Sequence, residues 1–186
     1  MKKQIALIAI LIFISSFAFA EQQERERLDK IEQALKGDVP NILCVDEKFA
    51  TAGQPADAAF GKLAANGYRS VLNLRSANEG VDLERERELV EKAGMRYISI
   101  PVVSSAPKAE QAEAFIKAVS EANNHPMLIH CASANRVGAF FMIYRVLVQG
   151  WPEDKALEEA TRIGLKSPVL KQFAQDYIAS QKQGKK

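Results

Sequence analysis

The stretch from Met127 to Val148 most limits what this chain can fold into. An apolar run, Met127-Leu128-Ile129, ends at His130-Cys131; four residues separate Cys131 from Arg136, and a second apolar stretch runs from Val137 to Val148. The short run reads as a buried strand and the long one as a buried helix. The rest of the chain repeats this alternation. Strand patterns at 41–45, 49–51, 70–74 and 96–100 are separated by helical patterns at 55–66, 82–93 and 108–122, and two more helices are expected at 151–163 and 168–179. Such alternation predicts a single α/β domain with a mostly parallel central sheet and helices on both faces. In these sheets ligands bind beyond the carboxyl ends of the strands. Cys131 falls at that edge, and so does the loop that begins at Arg75.

The residues at the strand–helix junction carry chemistry. The loop His130-Cys131-Ala132-Ser133-Ala134-Asn135-Arg136 supplies a thiol, a hydroxyl and a guanidinium. The first N–H groups of the following helix have no intrahelical acceptor, and the helix dipole adds positive charge there. Arg136 brings a planar fork suited to an oxyanion. The same field favours the thiolate of Cys131, the nucleophilic form. The loop therefore reads as a site that binds an anion and attacks it. The alternative is a buried structural cysteine beside a surface arginine. The meeting of His130, Cys131 and Arg136 at one junction argues against it.

Composition is that of an ordinary globular chain: 186 residues, 26% charged and 47% hydrophobic. The first twenty residues stand apart. Lys2 and Lys3 precede an apolar run from Ile5 to Phe17, and Ala18-Phe19-Ala20 has the form of a cleavage site. The expected organisation is a cleaved signal peptide at 1–20, a charged helix or arm at 21–38, one folded domain at 39–180 and a polar tail at 181–186. The mature protein is then periplasmic or secreted, with no membrane association after cleavage. Removing the signal lowers Lys plus Arg from 25 to 23, level with the 23 acids. A neutral chain without a basic patch excludes nucleic-acid binding as the expected role. His125 and His130 are the only histidines, and neither has ligand spacing to a second soft ligand, so no metal or other cofactor is expected. Two cysteines in an exported chain, Cys44 and Cys131, allow either one reversible disulfide or a buried Cys44 remote from a free nucleophile.

The loop resembles the signature of the cysteine-dependent tyrosine and dual-specificity phosphatases, which is His-Cys, five residues, Arg, then Ser or Thr. It departs from that signature in having four intervening residues, Ala134 for the usual glycine and Val137 for the usual hydroxyl residue. A four-residue spacing also resembles rhodanese-type sulfurtransferases. The wider order of motifs is Ala52-Gly53-Gln54-Pro55, Gly67-Tyr68-Arg69-Ser70-Val71-Leu72-Asn73-Leu74-Arg75, Gly94-Met95-Arg96-Tyr97-Ile98-Ser99-Ile100-Pro101 and the Cys131 loop. It resembles a bacterial phosphatase-like domain of the tyrosine phosphatase superfamily, the type also fused to beta-lactamase-like hydrolases. Rhodaneses would show a Gly-His-Ile type segment before the strand at Arg96, and none is present. The resemblance spans roughly Asn41 to Ser167 and makes 39–180 a phosphatase-like domain.

The resemblance implies an exported phosphatase acting on phosphate monoesters through a phosphocysteine at Cys131. Arg136 and the backbone of Ala132, Ser133, Ala134 and Asn135 would hold the phosphate, with His130 orienting the loop. The partner is a phosphorylated substrate or another oxyanion. The general acid of such enzymes is an aspartate in the loop after the strand at 96–100, but Pro101 to Pro107 contains no carboxylate. Asp82, and behind it Glu79, are the substitutes by position, although acids are also simply favoured at a helix N-terminus. The remaining readings are a sulfurtransferase or persulfide carrier using the same loop, and a catalytically weak anion-binding module.

Overall fold

The computed structural model describes residues 2–184, with side chains from Phe19 onward. In chain order it contains α1 (Lys2–Leu35), β1 (Leu43–Cys44), β2 (Phe49–Ala52), α2 (Ala59–Ala65), β3 (Ser70–Asn73), α3 (Leu83–Lys92), β4 (Arg96–Ser99), α4 (Ala109–Ser120), β5 (Met127–His130), α5 (Asn135–Leu147), α6 (Glu153–Ile163) and α7 (Pro168–Gln183). The expected α/β class holds: the strands form one sheet in the order β1-β2-β5-β3-β4, parallel except for β1, which runs antiparallel to β2. The side chains of the expected signal segment lie outside the described residues, apart from Phe19 and Ala20. Among the described residues no helix is long and apolar enough to cross a membrane.

The period-2 alternation of strands sorts side chains to two cores. Met127, Ile129 and Cys131 face one core with Phe49, Leu72, Leu74 and α4–α7. Leu128 faces the other with Ala50, Val71 and α1–α3. The charged segment from Glu21 is helical, and its stripe of Leu28, Ile31 and Leu35 is buried in this second core.

α5 is apolar over most of its circumference because it is enclosed, lying between the sheet and α6 and α7, and its buried Arg145 is paired with Glu159. Every residue from Arg136 to Val146 is buried. Gly138 permits the close approach of α6, since a Cβ there would lie 2.6 Å from the Ala160 carbonyl oxygen. The helix expected from Pro55 begins only at Ala59. In the non-helical stretch before it, the Ala56 N–H donates to the Asp38 carbonyl at 2.8 Å.

Candidate active site

β5 lies between β2 and β3, so its carboxyl end opens at the middle of the sheet edge. There the chain passes from Cys131 through Ala132 and Ser133, both exposed, into α5. Cys131 is 1% exposed and forms the floor of the loop. Ala134 adopts φ +66°, the left-handed conformation that favours glycine, and occupies the N-cap of α5 without a side-chain cap. The amino end of α5 is thus left for a ligand oxygen to complete.

Both flanks of the loop are fastened. On one side Gln54 N–H donates to the Ala132 carbonyl at 3.2 Å, and a Cβ at Gly53 would lie 3.1 Å from that same oxygen. On the other, Asn135 Oδ1 accepts the N–H groups of Lys166 and Ser167 at 3.1 and 3.2 Å. Gly164 packs so closely that a Cβ there would lie 3.2 Å from both Ala134 Cβ and the Ser133 carbonyl oxygen.

Arg136 reaches back under the loop. Its Nη1 donates to Glu79 Oε1 at 2.6 Å, to the Val102 carbonyl at 2.7 Å and to the Leu74 carbonyl at 3.1 Å; its Nη2 donates to Glu79 Oε2 at 2.7 Å. A guanidinium has five N–H donors. The end-on fork is committed to Glu79, which leaves Nε–H and the second Nη2 hydrogen on one edge, a fork that matches two oxygens of an oxyanion. Burial disfavours the charge on Arg136, but Glu79 and the adjacent Cys131 outweigh burial and hold its pKa above the usual value. The Arg136 hydrogen bonds in turn draw Glu79 down to about 2. Glu79 therefore sits in the site as a carboxylate that orients the arginine.

His130 faces away from Cys131, as strand alternation requires. Its Nε2 lies 3.1 Å from Glu86 Oε1, and its Nδ1 is the one buried side-chain polar atom without a partner among the described residues. Glu86 also accepts from Asn73 Nδ2 and Gln54 Nε2, both at 2.6 Å. Burial pushes its carboxyl up, but the hydrogen bonds from His130, Gln54 and Asn73 outweigh that and hold it below the ordinary value. Gln54 Oε1 accepts from Arg75 at 2.9 Å, and Arg75 Nε donates to Glu79 at 3.1 Å. A continuous polar chain, His130–Glu86–Gln54–Arg75–Glu79–Arg136, thus joins the two ends of the loop.

The sequence reading missed Glu86, Gln54 and Arg75 as members of this network. One signal was available for Glu86: it falls with Leu83 and Val90 on the apolar stripe of α3, where a carboxylate needs a buried partner. Asp82 is exposed, and its side chain accepts the Arg85 N–H at 3.0 Å as the N-cap of α3. The segment 101–107 passes beside Arg136 through the Val102 carbonyl, with Val103, Ser104 and Ser105 exposed.

Cys44 is remote from this site. Its register partner is Ala50, itself paired with Leu128. Cys44 thus stands two strands across from β5 and three residues short of Cys131, about 14 Å away by strand spacing and rise, against the roughly 7 Å limit for a disulfide. The two thiols also face opposite cores. The reversible disulfide is therefore excluded by the fold. Cys44 is fully buried with its Sγ 3.6 Å from Tyr68 Oη, and burial pushes its thiol up to about 11.

Residues 28–178 match the family model described as a DSP-PTPase phosphatase fused to NAD+ kinase. A beta-lactamase hydrolase-like protein of Xylella fastidiosa is 28% identical over 109 residues, 57% of this chain and 25% of that protein. The dual specificity protein phosphatase TpbA of Pseudomonas aeruginosa is 35% identical over 83 residues, 42% of this chain and 37% of that protein. The matched segments thus span between a quarter and just over a third of these curated relatives. Among solved structures, the DUF442 protein of Shewanella putrefaciens superposes with a TM-score of 0.68 at 26% identity, covering 80% of this chain and 97% of that one. A cysteine-to-serine variant of TpbA in complex with phosphotyrosine superposes with a TM-score of 0.59 at 22% identity, covering 74% of this chain and 82% of that one. The sulfurtransferase reading is not favoured by these relatives. The sheet, the Cys131 loop and the match over most of its length make this chain a member of the dual-specificity-type, cysteine-dependent phosphatase family.

Proposed function

We propose that this protein is an exported phosphatase that hydrolyses phosphate monoesters through a phosphocysteine. The observation that carries the reading is the division of Arg136, whose end-on fork is held by Glu79 while its remaining edge is left for an oxyanion beside Cys131. The Cys131 thiolate attacks phosphorus, an S–P bond forms, and the P–O bond to the leaving group breaks with the electron pair going to that oxygen. Arg136 and the N–H groups at the start of α5 hold the non-bridging oxygens as charge develops on them. Water then cleaves the S–P bond and releases phosphate. The phosphotyrosine complex of TpbA supports an aryl phosphate as substrate class.

The absence of a carboxylate from 101–107 gives the chain a preference for leaving groups that need little protonation, and Asp82 is the candidate acid for the others. General acid catalysis is worth about 10²–10⁴ in rate, so aryl phosphates should be turned over far faster than alkyl phosphates. Export rests on the basic, apolar and Ala-Phe-Ala order of the first twenty residues, and a mature N-terminus at Glu21 in the periplasmic or secreted fraction would establish it.

The mechanism is tested by Cys131→Ser. Hydrolysis of nitrophenyl phosphate should be lost while vanadate or phosphate still binds; hydrolysis that persists at the wild-type rate would overturn it.

A further inference from the structure

A cavity of about 320 Å³ opens beside the Cys131 loop, within the lower part of the range of about 300–1,000 Å³ for small-molecule sites. Ser133 and Asn135 of the loop line one side; Arg162, Gly164 and Lys166, from the end of α6 onward, line another. Among the described residues no carboxylate lines it. Arg162 and Lys166 are exposed, and neither side chain has an ion-pair or hydrogen-bond partner among the described residues. A larger cavity, about 630 Å³, differs in sign. It is lined by Glu21, Glu24, Asp46 and Glu47 against Arg25 and Lys48, and would repel a phosphoryl compound.

The cationic wall is indexed to the reacting loop. Asn135 Oδ1 holds the backbone N–H of Lys166 itself. The contact of Gly164 with Ala134 and Ser133 leaves no room for slippage between the two segments. Both cations line the same cavity, so an anion entering it meets two cationic side chains and, among the described residues, no carboxylate. The reaction at Cys131 needs neither of them, because Arg136 and the helix N-terminus already serve the scissile phosphate.

We infer that Arg162 and Lys166 form a second anion subsite, so that the preferred substrate is a phosphate monoester carrying another anionic group close to the scissile phosphate. The inference rests on the phosphatase reading for the word substrate, but the subsite itself is a matter of binding. The second anion could belong to a small bisphosphate or to an acidic side chain beside a phosphorylated residue.

Two pairs of probes separate these sources: phenyl phosphate against hydroquinone bisphosphate, and a phosphotyrosine peptide with Asn next to the phosphorylated residue against one with Asp there. With the wild-type full chain, KM should be lower for the more anionic member of at least one pair, and the responding pair names the source. The double variant Arg162→Ala/Lys166→Ala should raise that KM about tenfold, the loss expected from charge-assisted contacts, and leave kcat/KM for phenyl phosphate within about twofold. No preference in either pair, or an equal loss on both members, overturns the subsite. Calorimetry on Cys131→Ser with the same probes reads binding without turnover. If no probe is hydrolysed by wild type but the variant still binds the more anionic member more tightly, the subsite stands and the phosphatase reading falls.

Discussion

Replacing Glu79 by glutamine should destabilise the protein in a way that depends on pH. Glu79 makes the bidentate pair with Arg136 and also accepts from Ser76 N–H at 2.8 Å and Arg75 Nε at 3.1 Å. Its carboxyl is drawn from 4.5 to about 2, first of all by the Arg136 hydrogen bonds. At about 1.4 kcal/mol per pH unit, that drop corresponds to roughly 3.4 kcal/mol before screening. A quarter of the Glu79 side chain is exposed, and solvent screening reduces the figure to about 2 kcal/mol. The folded-state pKa is depressed, so the stabilisation is fully present above about pH 4.5 and is lost as pH falls through about 2. The neutral amide would also leave the buried Arg136 charge uncompensated, with the Leu74 and Val102 carbonyls as its remaining strong acceptors. The expected gap between wild type and Glu79→Gln is about 2–3 kcal/mol at neutral pH, seen as a Tm lower by about 4–10 °C for a chain of this size. Urea denaturation between about pH 7 and pH 2 should show the gap closing. A gap that stays constant across that range, or one below about 0.5 kcal/mol at neutral pH, would refute the argument that Glu79 is held ionised by Arg136.

Three further outcomes follow from the geometry. Gly138→Ala forces a Cβ to within 2.6 Å of the Ala160 carbonyl oxygen, and should cost about 1–3 kcal/mol in chemical denaturation as α5 and α6 separate; an unchanged midpoint would show that the crossing is loose. Asp82→Asn keeps a good N-cap, so stability should barely change; if Asp82 is the acid, alkyl phosphate hydrolysis falls by about 10²–10⁴ while nitrophenyl phosphate hydrolysis is spared, and equal rates on both substrates return it to the capping role alone. Mild peroxide should inactivate the protein without creating an intramolecular disulfide, and Cys44→Ala should recover with reductant no worse than wild type; a Cys44–Cys131 peptide in non-reducing maps would contradict the strand register.

The sequence made the architecture readable where hydrophobic period decides structure. β5 and α5 stand out because one is a short apolar run and the other a long one, and the end of the first places Cys131 at the sheet edge. The polarity of β1 was not readable, because two residues pair through register and not through pattern, and the fate of Cys44 depended on it. Cys131 and Arg136 were legible because their chemistry is concentrated in one loop. Glu86, Gln54 and Arg75 were not, because they come from three separate elements and meet only when the sheet is assembled. Glu79 was noticed for its position, but as a possible acid; its bidentate pairing gives it the opposite role, a base too weak to carry a proton at neutral pH.

The shortened loop has its own logic. With four residues between Cys131 and Arg136, the turn closes through Ala134 at φ +66°, a conformation that costs a residue with a Cβ about 1–2 kcal/mol. Such strain persists only where the surroundings over-determine it, and here they do. Gly53 and Gln54 hold the loop from β2, Asn135 fastens it to the segment before α7, and Gly164 leaves space for the Ala134 methyl. A rigid loop forfeits little order when an anion binds, so more of the contact energy is available to the reacting geometry. The same rigidity explains why a buried arginine neutralised by Glu79 can still serve a phosphate. Its long-range attraction is reduced, but its free edge is already placed, and the uncapped amino end of α5 adds donors that no carboxylate occupies. Affinity at this site should therefore come from preorganised hydrogen bonds more than from net charge, and should vary with salt less than binding at the exposed Arg162 and Lys166.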